Sequence, residues 1–248
     1  MTSSLPNRVR TLPDRSNDTI DVLSPADESP VRLHLKRHTA QRVRRTPSLG
    51  HGPIRAGVAA GIHEADAVGA CQRAGVPVMR VVAAGQQATE DGRRADSFFI
   101  SEDLRGALPA EEYWARHVAA DDLTQRQAVL DALARAAARL HGAGLFHRDL
   151  YWCHFMVTPP ASSDAQPEVA FIDLQRLHRP RLAGYARMKD LAQFMVSAPP
   201  GPLGPSPNEM RGWYARYLNQ EVISGRQRVM LAVIRVRAGF YRIKGIKP

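Results

Sequence analysis

His147-Arg148-Asp149-Leu150-Tyr151-Trp152-Cys153-His154-Phe155 decides how this chain is read, and Phe171-Ile172-Asp173-Leu174 completes the reading. Upstream of the first run, Leu123, Leu130, Leu133, Ala137 and Leu140 recur on one helical face, and Thr124-Gln125-Arg126-Gln127 has the spacing of a capping box. Gly142 and Gly144 stop that helix, so His147–Phe155 is a loop aimed by a rigid element. Phe155-Met156-Val157 and Val169-Ala170-Phe171-Ile172 are apolar runs flanking a Pro/Ser/Asp-rich stretch, the pattern of a short hairpin. Asp149 and Asp173 are 24 residues apart, each beside strand-like sequence. One carboxylate can take the proton of an attacking hydroxyl, and the other can hold magnesium against nucleotide phosphates. That order of acids fits phosphoryl transfer, which asks a protein for positioning and charge stabilisation more than for covalent chemistry.

Such a reaction needs a cation on the phosphates and a carboxylate to aim it. Val31-Arg32-Leu33-His34-Leu35-Lys36 alternates like a half-buried strand and ends on Lys36. The next acid is Glu64, on a helix predicted over 59–74 and ended by Gly75 before Val76-Pro77. Residues 37–57 read as a basic connection, 78–84 and 97–100 as strands, and 86–95 as a polar turn. The first half thus alternates strand, helix, strand, strand. The second half is helical around its loop: Ala198–Pro207 breaks one helix, and a last helical region covers 208–241. Arg148 is expected to pair with an acid or a carbonyl, and His147 to pack and bond to backbone.

Bulk properties narrow the setting. The chain has 248 residues and is 44% hydrophobic, enough for one large domain or two lobes. Cys71 and Cys153 make no disulfide framework and suit a reducing compartment. With no apolar signal segment and no spanning stretch, the expected location is cytoplasmic. The net charge is +10, and it is unevenly placed: 31–63 and 225–248 each carry seven Lys or Arg and no acid. Such a field favours polyanionic partners. The basic tracts lack interleaved aromatics and zinc-finger spacing, so nucleic acid is not the expected partner. No Walker or dinucleotide fingerprint is present.

HRDLYWCHF followed by FIDLQR resembles the lipopolysaccharide kinase family, the heptose and Kdo kinases of the bacterial envelope, which reads HRD-x-Y-x-CHF and then an IDL stretch. That family carries His five residues after the Asp, as His154 stands here, and Lys189-Asp190-Leu191 resembles its K-D-L step. The likeness extends through His63-Glu64 and Ser97–Leu104, over residues 31–220. It implies an α+β, two-lobed protein-kinase-like fold. A flexible segment at 1–30 would precede a small β-rich N-lobe at 31–104. A mainly helical C-lobe at 105–248 would carry the catalytic loop and the metal-binding Asp.

The resemblance also implies an ATP-dependent kinase acting on a sugar hydroxyl of the lipid-linked inner core, with ATP and Mg2+ as cofactors. Asp149 and Arg148 would be catalytic. Lys36 and Glu64 would hold the nucleotide, and Glu102 to Leu104 would form the hinge facing adenine. Asp173 and His154 would meet the metal, and Asp190 would brace the loop. The basic surface would meet an anionic glycolipid, with peripheral contact at the cytoplasmic face of the inner membrane. One departure opens a second reading: Asp21–Pro30, where a phosphate-covering loop is expected, contains no glycine. A nucleotide-binding pseudokinase or scaffold is the alternative, as is a kinase of another small molecule or of a protein.

Overall fold

The computed structural model describes residues 7–24, 27–43, 58–162 and 165–245. The chain divides into two compact units. The first comprises Met1–Arg73, Val78–Leu104 and Asp173–Leu177; the second comprises Ala74–Pro77, Arg105–Ile172 and His178–Pro248.

The first unit is built on a five-stranded antiparallel sheet of order β1-β2-β3-β5-β4. Its strands are β1 (Asn7–Leu12), β2 (Arg15–Leu23), β3 (Pro30–Arg42), β4 (Val81–Ala88) and β5 (Arg94–Glu102). Along β5, Ala95, Ser97, Phe99 and Ser101 are buried and their neighbours are more open, the period of two that a one-sided sheet imposes. Helix α1 (Ala60–Arg73) packs on β3, β4 and β5 through Gly61, Glu64, Ala67, Val68 and Cys71, a single helical stripe. A Cβ on Gly61 would lie 2.4 Å from the Phe98 carbonyl oxygen, so only glycine lets α1 sit this close to β5.

Two expectations change here. Residues 7–23, read as part of a flexible segment, form β1 and β2. Their polar sequence hides this, because β2 is specified by pairing along its whole length with β3, from Arg15↔His38 to Leu23↔Pro30. Asp173, assigned to the C-lobe, falls with Leu174–Arg176 in the first unit. A 3-10 turn there packs on α1, and Lys36 binds the Asp173 carboxylate.

The second unit has a three-stranded antiparallel sheet of β6 (Leu108–Pro109), β7 (Phe155–Thr158) and β8 (Glu168–Phe171). Around it lie α2 (Ala110–His117), α3 (Leu123–Gly142), α4 (Ala183–Ser197), α5 (Pro207–Tyr217) and α6 (Gly225–Ile243). Val129, Leu130, Leu133, Ala137 and Leu140 of α3 are fully buried. Aromatic rings fill the space between helices: Phe194 stacks on Trp213 at 4.0 Å, and Trp152 meets both Trp114 and Phe194. The N-cap of α3 is Asp122, whose side chain accepts from the Gln125 amide; the Thr124 capping box does not form. The last helical region is two helices. The chain turns at Asn219, with φ 54°, and Ser224 opens α6 with a true capping box. Arg126 clamps Glu209 in a two-pronged ion pair while its guanidinium lies 4.7 Å over Trp114, tying α3 to α5 and α2. Among the described residues no helix is long and apolar enough to cross a membrane.

Candidate active site

In the first unit, β3 presents Lys36 and α1 presents Glu64. The Lys36 ammonium donates to Glu64 Oε1 at 2.7 Å and to Asp173 Oδ1 at 3.2 Å. Glu64 is completely buried. Burial works against the charge on Lys36, but the negative charges of Glu64 and Asp173 and the hydrogen bonds to both outweigh it and hold its pKa above the ordinary lysine value. The cation is therefore permanent, and it is aimed. Asp173 itself sits in the left-handed region at φ 57°. It directly follows Ile172, whose carbonyl accepts from His147 Nε2 at 3.1 Å.

The second unit holds the loop after α3. Arg148 is left-handed at φ 69°, a costly conformation for a side chain of that size, so something must enforce it. Helix α4 does. Asp190, buried at the helix centre, accepts from the backbone amides of His147 (2.8 Å) and Arg148 (3.0 Å), and from His141 Nε2 (3.1 Å). One turn on, Gln193 accepts from the Leu150 amide and donates to the Arg148 carbonyl at 2.6 Å. One turn further, Ser197 Oγ accepts from the Trp152 amide at 3.0 Å. Three polar side chains on one face of α4 thus hold four consecutive-to-alternate amides of the loop. Asp190 was expected as a brace. Gln193 and Ser197 were not, although two polar residues inside the otherwise apolar run Leu191–Ser197 are the signal that marks them.

His154 Nδ1 donates to the Asp149 carbonyl at 2.7 Å, and its ring stacks on His147 at 5.4 Å. In the neutral ring this leaves the lone pair on Nε2. His147 packs and bonds to backbone as expected, and the backbone amide of Arg148 pairs with the Asp190 carboxylate. Glu102 ends β5 and Leu104 ends the second segment of the first unit. The Glu102 amide donates to the Arg80 carbonyl at 2.9 Å and its carboxylate pairs with the Arg80 guanidinium. The structure also locates the hairpin between β1 and β2: it turns at Pro13-Asp14, again without glycine, and the Asp14 carbonyl is tied to the Thr39 amide of β3.

Among the described residues no group of three or more His, Cys, Asp or Glu side chains could hold a metal alone. Magnesium keeps several waters and phosphate oxygens and needs only one or two protein carboxylates. Asp173 fits that role by chemistry. His154 fits it less well, because magnesium prefers oxygen to imidazole.

A sheet lysine fixed by a helix glutamate, together with an HRD loop braced from behind by a buried aspartate, defines a protein-kinase-like fold. The chain belongs to the lipopolysaccharide kinase (Kdo/WaaP) family, whose sequence model matches residues 31–211. It is 33% identical over 141 residues to the lipopolysaccharide core heptose(I) kinase WaaP of Pseudomonas aeruginosa, covering 54% of this chain and 51% of that protein. It is 33% identical over 129 residues to the same kinase of Escherichia coli, covering 50% and 48%. The chain thus spans about half the length of the curated relatives it matches. A solved structure, WaaP in complex with acyl carrier protein, superposes with a TM-score of 0.69 at 23% identity, covering 95% of this chain and 88% of that one. That likeness shows the fold.

Proposed function

We propose that this chain is an ATP-dependent kinase that phosphorylates a sugar hydroxyl of the lipopolysaccharide inner core, on heptose or Kdo. The observation that carries the reading is the Lys36 ammonium bonded to both Glu64 and Asp173, a fixed cation beside a carboxylate suited to a metal. Lys36 holds the nucleotide phosphates and Glu64 keeps it aimed; Asp173 would hold the metal, and His154 is a further candidate ligand. Magnesium, when bound, offsets the charge gathered on the transferred phosphoryl group. Asp149 takes the proton of the acceptor hydroxyl as the oxygen attacks, and Arg148 steadies the anionic acceptor or the transferred group beside it. The backbone of Glu102 to Leu104 faces adenine.

The acceptor class is supported by a cavity of about 430 Å³ within the second unit, beside the loop. Arg148, Arg181 and Lys189 line it together with the Tyr185 ring. Cations for carboxylate or phosphate and an aromatic face for a sugar ring are what an acidic glycan requires. The protein works at the cytoplasmic face, in peripheral contact with the inner membrane. WaaP has been solved with an acyl carrier protein, which makes a carrier protein a partner to test here.

The test is ATP consumption by the purified protein with magnesium and a panel of core oligosaccharides. Asp149→Ala and Asp173→Ala should each lower turnover by roughly 10²–10⁴-fold while thermal unfolding stays near wild type. Wild-type turnover in either variant discards the assigned roles. The glycine-free stretch Asp21–Pro30 favours a second reading, nucleotide binding without catalysis. Its signature is stabilisation by ATP and magnesium with no phosphate transferred to any core sugar.

A further inference from the structure

Helix α6 lies beyond the residues matched by the family model, and its surface has no part in the chemistry above. It is apolar on two opposite sides. Leu231, Ile234, Ala238 and Tyr241 face the unit and are buried, with α6 packed on α4. Val229, Val233, Val236, Phe240 and Ile243 follow the same spacing of three and four and are exposed, Val236 at 75% and Ile243 at 87%. At 100° per residue the two stripes lie about 160° apart, and the outer one runs about 21 Å. Arg226, Arg237 and Lys244 fall along one flank of the outer stripe, and Arg228, Arg235 and Arg242 along the other. No acid occurs from Gly225 onward.

An exposed ridge of this length between two rows of cations has a defined complement: acyl chains beneath anionic headgroups. A protein partner would have to present a groove about 21 Å long with acidic rims on both sides. An anionic bilayer presents that pairing along every direction of its surface. Long arginine side chains reach from the flanks to phosphate while their stems cover apolar surface. Arg237 is held inside the unit by Tyr241 Oη and by the Tyr185 and Tyr241 rings, whereas Arg235 spends one bond there, on the Pro207 carbonyl, and keeps further donors for phosphate.

We propose that α6 is an interfacial helix that lays its outer apolar stripe into the surface of an anionic bilayer. This deepens the peripheral membrane contact of the kinase reading by naming the surface that makes it, and it holds or fails independently of catalysis. Flotation of the full chain with vesicles, in the absence of nucleotide and sugar, tests it. The protein should float with phosphatidylcholine vesicles that contain phosphatidylglycerol, float poorly with phosphatidylcholine alone, and be released by salt. Val236→Asn with Phe240→Asn should lower the bound-to-free ratio roughly tenfold, and Arg228→Ser with Arg242→Ser roughly thirtyfold. All four side chains are exposed, so thermal unfolding of both variants should match wild type. Wild-type protein that stays with the pellet, variants that float as well as wild type, or a stripe that binds a purified acidic protein and no vesicle would each overturn the proposal.

Discussion

The two units fix their reactive groups by opposite means. In the first, charged side chains hold each other: Lys36 is placed by Glu64 and Asp173, and each of the three can be removed by mutation. In the second, side chains of one helix hold backbone: Asp190, Gln193 and Ser197 bond amides that no substitution at the loop can take away, short of proline. The first arrangement tolerates loss of both partners at once better than loss of one. The second has no such rescue, because the orphaned donors stay.

The largest effect expected is therefore at Asp190. Asp190→Ala strands two buried amides and one histidine donor, and should cost about 4 kcal/mol of stability together with activity. Urea unfolding of Asp190→Ala, alone and combined with His141→Phe, measures it; recovery of most of the loss in the double variant would erase the contrast. Next comes Lys36→Met, which leaves the buried Glu64 charge unpaired and should cost roughly 3 kcal/mol at neutral pH. Lys36→Met with Glu64→Leu should be the more stable of the two variants, and both should lose nucleotide-induced stabilisation. A double variant that is less stable than the single one would show that this unit, too, depends on each partner separately.

Acid supplies a third probe. His38 is buried on β3, and burial, followed by the charges of Arg15 and Lys36, pushes its pKa down to about 4, against the opposing pull of Asp14 and Asp173. The unfolded chain takes up a proton near pH 6.5 that the folded chain refuses. The contribution is thus complete above about pH 6.5 and is lost as pH falls toward 4, by up to roughly 3 kcal/mol. Stability of His38→Leu should fall less over that window than stability of wild type, read from denaturant midpoints at each pH. The smallest effect expected is Gln193→Ala, about 1–2 kcal/mol, because the Arg148 carbonyl and Leu150 amide each lose one bond. Its kcat should drop more than its KM rises, since the loop that carries Asp149 loosens while binding groups elsewhere remain.

Much of this was legible in the sequence because it rests on periodicity and order. The strand that carries Lys36, though it runs on to Arg42 where a connection was expected, the helix bearing Glu64 and the loop after Gly144 all announce themselves within a few residues. What was hidden depended on partners far along the chain. Asn7–Leu23 is too polar to declare itself and becomes strand only by pairing, β2 with β3 and β1 with β2. Gly61 looks like an ordinary weak helix residue until Phe98 of β5 appears against it. Within the helical region predicted over 208–241, Val229, Leu231, Val233, Ile234 and Val236 mark no single amphipathic face, because α6 is apolar on two sides. Gln193 and Ser197 stand out as polar in an apolar run, but a lone polar residue in a helix names no partner.

The bracing of the catalytic loop from α4 has one further consequence. Amides are the same in every residue, so a loop shaped through its amides keeps its form when its side chains change. Tyr151 is buried and bonded to Gln193, but residues 148 and 153 can then be varied without dismantling the scaffold. A library confined to them is where new acceptor preferences would be found at the least cost to folding.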